Sequence, residues 1–242
     1  MTMYVFLESL FNALRLFFLV NPDVLDITLL TLRVSGTAVL LGSIAGIPTG
    51  AYLGLREWRG KKTTIRIVNL ILRSIINTFM GLPPVVVGLV VFLLLRYEGP
   101  LGFLGLVFTP TAMIITQLIL VIPITIGVTI SAVGGVDKAI REKALSLGAT
   151  NREAAFAVLK EAKIGLLTAV IVAFGAAISE VGGIMIAGGN IWLKTSTLTT
   201  EIVDAVQVGE YELALTLGVI LLAIAFAINI ILTILQIREA KH

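Results

Sequence analysis

The sequence predicts an all-α polytopic membrane protein, and three observations lead to this fold class. Hydrophobic residues make up 57% of the 242 residues, and the mean hydropathy is +1.04. Only 14% of the residues are charged, whereas a soluble domain carries about 25%. The apolar residues are also grouped in long runs, and about 20 apolar residues are enough for one helix to cross a bilayer.

Five predicted spans account for the long apolar runs. They cover residues 26–55, 65–96, 110–133, 164–186 and 213–236. A further apolar segment, residues 3–20, is barely long enough to cross the bilayer. Its polar residues Glu8, Asn12 and Arg15 recur on one helical face. This pattern favours an amphipathic helix in the membrane interface over a sixth span.

The basic residues predict which ends of the spans face the cytoplasm. They concentrate in residues 56–66, 138–163 and 238–241, whereas residues 98–109 contain no basic residue and residues 188–212 carry more acids than bases. Short cytoplasmic loops are enriched in Lys and Arg, so five spans place the three basic segments inside and the other two outside. The net charge of +3 is therefore a topology signal, and we expect no nucleic-acid partner.

The composition excludes most catalytic and metal chemistry. The chain has no Cys, and its one His is the last residue, His242. We therefore expect no disulfide, no catalytic residue, no metal site and no cofactor. Residues 54–63, GLREWRGKKT, look like a phosphate-binding loop, but the spacing does not fit GxxxxGK[ST] and no strand precedes it. We expect that the chain does not bind ATP itself.

Glycines mark one face of the first predicted span. They recur at every fourth position, as Gly42, Gly46, Gly50 and Gly54. Such a face lets another helix backbone approach closely. Pro48 lies in the same run and predicts a kink.

Residues 136–163 are dense in charge and predict two short helices joined by a glycine turn. Asp137 is a candidate N-cap of the first helix. Gly148 can adopt the left-handed conformation that ends this helix. Thr150, followed three residues later by Glu153, is a capping box that starts the second helix.

Two stretches resemble one family of transporters. The run EKALSLGA is similar to the EAA loop of ABC-importer permeases, although Lys143 replaces the middle Ala and VLKEA at 158–162 stands where Leu-Pro is usual. The run NTFMGLPPVVVGLVVFLLL, residues 77–95, is similar to the LPPVVVG segment of molybdate- and tungstate-type permeases. The sequence looks closest to the tungstate branch.

The resemblance implies a type I ABC-importer transmembrane domain in the cell membrane, with five core spans plus the N-terminal amphipathic (or sixth) helix. Residues 1–242 would form one permease domain that takes up a tetrahedral oxyanion, tungstate or molybdate. Its partners would be two cytoplasmic ATPase subunits, which hydrolyse the ATP, an extracytoplasmic oxyanion-binding protein and a second copy of the chain. Residues 136–163 would be the cytoplasmic coupling loop. The coupling residues would be Glu142, Ala144, Gly148, Ala149 and Thr150.

The break at residues 81–84, GLPP, lies in the segment that the resemblance assigns to the translocation path. Two prolines remove two backbone donors, and such a break is tolerated in a bilayer only where protein or a water-filled cavity surrounds it. An oxyanion needs hydrogen-bond donors along its path. The candidates are Asn77, Thr78, Pro83 and Pro84. The alternative is a kinked helix that serves packing alone.

Other functions and roles stay open at this point. A sulfate- or phosphate-type permease would share the architecture. An ion-coupled secondary transporter would show inverted repeats, for which five spans leave no even division, and a membrane scaffold without transport is a third possibility. Arg33 and Arg73 offer positive charge to an anion, or are structural. Glu180 would repel an anion, so we expect it to serve packing.

Overall fold

The computed structural model describes residue 11, residues 22–57 and residues 63–240. These residues form helices joined by turns and loops, with no strand among them, as the composition predicts. The predicted interfacial segment 3–20 lies outside the described residues except for residue 11, and so do residues 58–62 of the first basic segment. The helices are α1 (Pro22–Glu57), α2 (Thr63–Met80), α3 (Pro84–Leu95), α4 (Pro110–Gly134), α5 (Lys138–Ser146), α6 (Asn151–Glu161), α7 (Lys163–Ile178), α8 (Gly182–Gly188), α9 (Leu198–Gln207) and α10 (Tyr211–Ala240).

Three helices, α1, α4 and α10, are each long and apolar enough to cross a membrane. Two bent pairs, α2 with α3 and α6 with α7, pass the same criterion, which gives up to five spans among the described residues. This number agrees with the five predicted core spans, but the fourth is reached only by adding α6, which the sequence assigns to the cytoplasmic loop, to the 16 residues of α7. The fourth predicted span differs in detail, because α7 ends at Ile178 and α8 begins only at Gly182.

The long helices expose an apolar surface. In the most apolar window of α10 only 11% of the residues are buried, and Leu222 and Phe226 are 71% and 70% exposed. A soluble monomer rarely exposes so large a continuous apolar surface. This face therefore requires lipid or another protein against it.

One compact unit comprises the described residues up to 38, residues 83–119 and residues 175–230. Ile27 of α1 packs with Leu198 of α9 and Leu217 of α10, and a second cluster joins Val34 of α1 with α4 and α8. The predicted outer segment 188–212 is not a simple exposed loop. It contains α9, which a Thr197–Thr200 capping box begins. Its buried polar residues are Thr195, Ser196, Thr197, Thr199, Thr200 and Glu201.

The second compact unit comprises residues 39–82, 120–174 and the described residues from 231 onward. Here the glycine face of α1 packs against α4, as predicted. A Cβ atom built on Gly46 would overlap the side chain of Thr125, and one on Gly50 would lie 2.7 Å from the Ile126 carbonyl oxygen. The Thr125 hydroxyl also donates to the Gly42 carbonyl at 3.2 Å. Glycine is therefore required on this face because the α4 backbone occupies the space of a side chain.

Candidate functional site

The charged segment between α4 and α7 forms two helices with the predicted caps. The Asp137 side chain accepts a hydrogen bond from the Ala139 N–H at 2.9 Å at the start of α5. At the start of α6 the Thr150 hydroxyl accepts from the Glu153 N–H at 3.3 Å, and Glu153 accepts from the Thr150 N–H at 2.7 Å. These bonds supply partners for backbone donors that a helix leaves unpaired at its first turn.

Gly148 closes α5 in the left-handed conformation, with φ +87°. The Gly148 N–H donates to the Leu145 carbonyl and the Ala149 N–H to the Ala144 carbonyl, both at 3.1 Å. This is the Schellman arrangement, which satisfies carbonyls at a helix end. Across the turn, the Arg141 guanidinium donates to the Asn151 side-chain oxygen at 2.9 Å. The turn and this one bond fix the angle between α5 and α6.

The two helices differ in how they are anchored. On α6, Ala154 and Val158 are fully buried, and Val158 belongs to a cluster with Ala51 of α1 and Val133 of α4. In contrast, α5 has no buried residue. A force applied to α6 therefore acts on the membrane helices of this unit, whereas α5 is carried by α6.

The exposed side of this pair is suited to a protein partner. Leu147 is 79% exposed at the turn and Phe156 is 70% exposed on α6. Glu142 and Thr150 are exposed, whereas Ala144 and Ala149 are half-buried. Apolar side chains ringed by polar and charged ones are typical of protein interfaces. Hydrogen bonds from the backbone and hydroxyl of Thr150 lower the pKa of Glu153, so this carboxyl is ionised at neutral pH.

Two of the predicted path residues, Asn77 and Thr78, lie in the last turn of α2 and are exposed. The Thr78 hydroxyl donates to the Ser74 carbonyl at 2.8 Å. The Gly81 N–H donates to the carbonyls of both Thr78 and Asn77, at 3.1 and 3.3 Å, which closes the helix. In this arrangement the Thr78 hydroxyl is an acceptor toward other groups, and the Asn77 amide is the side-chain donor.

The other two, Pro83 and Pro84, begin α3, belong to the first unit and are exposed. Pro83 is the N-cap and Pro84 the first helical residue, a position where proline's missing N–H costs nothing. The Pro83 carbonyl accepts from the Val86 and Val87 N–H groups at 3.0 and 3.3 Å. At the predicted break a new helix therefore begins at Pro84.

The first turns of α3 and α8 meet at backbone distance. A Cβ atom on Gly183 would lie 2.6 Å from the Pro84 carbonyl oxygen, and one on Gly88 would lie 2.5 Å from the Gly183 Cα atom. A Cβ atom on Gly182 would likewise approach the Val85 side chain to 2.6 Å. Only glycines allow this approach, because any side chain would separate the two helices.

Buried polar side chains bind the break between α7 and α8. Glu180 is 8% exposed, and its carboxylate accepts from the Gly183 N–H at 2.6 Å. Gln117 of α4, 1% exposed, donates to the Ala177 carbonyl at 2.8 Å. The bond of Glu180 supports the packing role expected for it. The sequence reasoning missed Gln117, although an amide inside the apolar run of α4 was a signal.

Three comparisons with known proteins agree with one another. Residues 38–240 match the family described as binding-protein-dependent transport system inner membrane component. A probable anion ABC transporter permease protein of Haloferax volcanii is 42% identical over 209 residues, which cover 84% of this chain and 87% of the relative. The tungstate uptake system permease protein TupB of Peptoclostridium acidaminophilum is 37% identical over 95% of this chain and 97% of its own.

The fold also matches a solved structure. A chain of the MetNI methionine ABC transporter in an inward-facing conformation superposes with a TM-score of 0.71. The match covers 90% of this chain and 94% of the transporter chain, at 17% sequence identity. At this identity the match shows the fold, which is that of a type I ABC-importer transmembrane domain.

Proposed function

Because the chain belongs to the family of binding-protein-dependent transport system inner membrane components, we propose that it conducts tungstate across the membrane in an ATP-driven importer. The chain is the permease subunit, and ATP is hydrolysed on separate ATPase subunits. The observation that carries tungstate as substrate is the 37% identity to a tungstate uptake permease over nearly the full length of both chains.

We assign α5 and α6 to the docking of the ATPase. The exposed apolar residues Leu147 and Phe156 offer contact area, and the charged rim offers orientation. Movement of a docked ATPase would reach α1 and α4 through the buried face of α6. The coupling roles fall to Glu142, Ala144, Gly148, Ala149 and Thr150.

The working assembly in this proposal contains two copies of the chain, two ATPases and one extracytoplasmic binding protein. Each copy presents one α5–α6 pair, so closure of the two ATPases moves two pairs together. The apolar faces of the described helices supply surface for a second copy and for lipid. The binding protein delivers the oxyanion to the side opposite the ATPases.

The path residues in this proposal are Asn77, Thr78, Pro83 and Pro84. All four are exposed, as a path toward a partner copy requires. The Asn77 amide supplies N–H donors, which a tetrahedral oxyanion accepts. The two prolines lack N–H groups and stand at the start of α3, so the backbone itself shapes this segment.

Reconstitution tests the proposal. The permease, its ATPase and its binding protein are placed in proteoliposomes, and uptake of tungstate is measured with and without ATP. We expect uptake of labelled tungstate that requires both ATP and the binding protein. A tenfold excess of molybdate or sulfate should inhibit this uptake less than the same excess of unlabelled tungstate does.

Two results would contradict it. Accumulation of tungstate by the permease alone, driven by an ion gradient, would mean an ion-coupled transporter. ATP-dependent uptake of sulfate in preference to tungstate would mean that the architecture is right and the substrate wrong. An ATPase that binds nucleotide but cannot hydrolyse it serves as the control for ATP binding without turnover.

A further inference from the structure

The break between α7 and α8 leaves backbone groups that need partners. A continuous helix would pair the Ala177 carbonyl with the N–H four residues later, but the helix ends at Ile178. Here the Ala177 carbonyl accepts from the Gln117 amide at 2.8 Å, from the Ser35 hydroxyl at 3.3 Å and from the Glu180 N–H at 3.3 Å. Gln117 also donates to the Ser35 hydroxyl oxygen at 3.3 Å. Helices α1 and α4 thus supply two of the three donors to this carbonyl.

A second set of bonds continues from the break to α9 and back to α1. The Thr199 hydroxyl donates to the Glu180 carbonyl at 3.0 Å, and the Leu198 N–H donates to the Thr31 hydroxyl at 2.9 Å. Thr31 is 2% and Thr199 6% exposed. In apolar surroundings each of these groups would be costly to leave unpaired. The bonds therefore favour one arrangement of the break over all others.

That arrangement fixes where α8 touches α3. Glu180 accepts the hydrogen bond of the Gly183 N–H. Gly183 is also the residue of α8 that lies against the Pro84 carbonyl and Gly88 of α3. A change in the break moves Gly183, and at backbone contact α3 has no room to stay in place. The first turn of α3 is the segment that contains two of the proposed path residues.

We infer that Gln117 is a positioning residue of transport: its amide donates to the open carbonyl end of α7, and this bond sets the place of α8 and, through Gly183, of the first turn of α3. The inference rests on the proposed function, because it takes the start of α3 as part of the path. Gln117 acts through the backbone and does not itself touch the transported ion.

Three single substitutions separate this role from mere packing. Gln117→Met keeps a long unbranched side chain and removes the donor. Thr116→Val is the matched control, because Thr116 is the buried neighbour whose hydroxyl donates only within its own helix, to the Ala112 carbonyl at 2.9 Å. Gln117→Glu keeps the shape and donates to the Ala177 carbonyl only when its carboxyl is protonated.

The measurement is tungstate uptake per ATP hydrolysed by the reconstituted complex, over a series of pH values. Loss of the shortest of the three bonds to the Ala177 carbonyl shifts the balance between arrangements by about fivefold. We expect Gln117→Met to lower the ratio by about that factor at every pH, with assembly and ATP hydrolysis retained. A protonated carboxyl can donate a hydrogen bond and an ionised one cannot, so Gln117→Glu should recover uptake toward acidic pH. Each variant is compared with the unmodified protein at the same pH, which removes pH effects that all variants share.

Two results would overturn the inference. One is a Gln117→Met complex with the same uptake per ATP as Thr116→Val. The other is a Gln117→Glu complex that stays as low as Gln117→Met down to the most acidic pH, which would mean that restoring a donor does not restore transport. If Gln117→Met does not assemble, Ser35→Ala removes a weaker bond to the same carbonyl and is tested in its place. Loss of uptake by the unmodified complex would instead contradict the proposed substrate, so the two failures are distinct.

Discussion

Substitution of Gly148 tests the coupling helices most directly, because the structure isolates one physical cause. Beyond this residue and its two neighbours in the chain, no atom lies within 4 Å of a Cβ built on it, so a side chain meets open space. The whole effect of Gly148→Ala therefore comes from φ +87°. A non-glycine residue in this region costs about 1–2 kcal/mol, and the variant can relieve the strain only by opening the turn.

The expected result is weaker docking of the ATPase. Since α5 has no buried residue, its orientation depends on the turn and on the Arg141–Asn151 bond. If docking requires the original turn, a cost of about 1–2 kcal/mol weakens the affinity for the ATPase by about five- to thirtyfold. Gly148→Asn should be affected less, because Asn tolerates the left-handed region better than other side chains. Membrane insertion should be unchanged.

The other unit offers a matched control in Gly209. It has φ +84° and open space around its Cβ position. The Glu210 N–H donates to the Ala205 carbonyl across it, as the Ala149 N–H does to the Ala144 carbonyl across Gly148. Gly209→Ala should therefore strain the chain equally and leave ATPase affinity unchanged. Equal affinity in Gly148→Ala and the unmodified protein, measured by titration of the purified permease with ATPase, would refute the docking role of this turn.

Three further predictions follow from single sites. Gly50→Leu should abolish recovery of folded protein in detergent, because the α4 backbone fills its side-chain space, whereas Gly36→Leu, which has nothing within 4 Å, should not. Burial and the nearby Asp204 raise the pKa of Glu201 above its ordinary value of 4.5. The folded protein therefore loses stability as the pH rises from that ordinary value through the raised pKa. Glu201→Gln should flatten the resulting fall of the melting temperature with pH. Single cysteines at Ser146 and Phe103 should react with an impermeant reagent only from the cytoplasm and only from outside, respectively, against a background without native Cys.

Local patterns in the sequence predicted the elements whose causes are local. The helix caps in this segment are Asp137, Gly148 and the Thr150–Glu153 box, and each bonds residues close to it in the chain. Their spacing alone therefore predicted α5 and α6. The glycine face of α1 could also be predicted, because the four-residue spacing of the glycines is visible in the sequence without knowledge of which helix packs against it. The resemblance to oxyanion permeases is confirmed by the family and by the tungstate relative.

The features that the sequence did not predict depend on partners far along the chain. Residues 188–212 have the composition of an exposed outer loop, but the hydroxyl of Thr195 bonds the Gly188 carbonyl and that of Thr199 the Glu180 carbonyl, and this allows the segment to be buried. The end of α7 at Ile178 is the same kind of effect. An apolar run predicts a continuous helix unless other residues bond the backbone groups that a break leaves unpaired. Here the amide of Gln117, 60 residues away from Ala177, bonds the Ala177 carbonyl.

The position of Glu180 limits where an oxyanion can bind. A helix N-terminus attracts anions, and at α8 the carboxylate of Glu180 already takes the Gly183 N–H. An oxyanion that entered this position would have to displace a bonded, buried carboxylate and would lie beside its charge. The first turn of α8 is therefore closed to the transported ion, and its glycines serve the contact with α3. The donors that an oxyanion needs must come from other groups, of which the exposed Asn77 amide is the one that this proposal names.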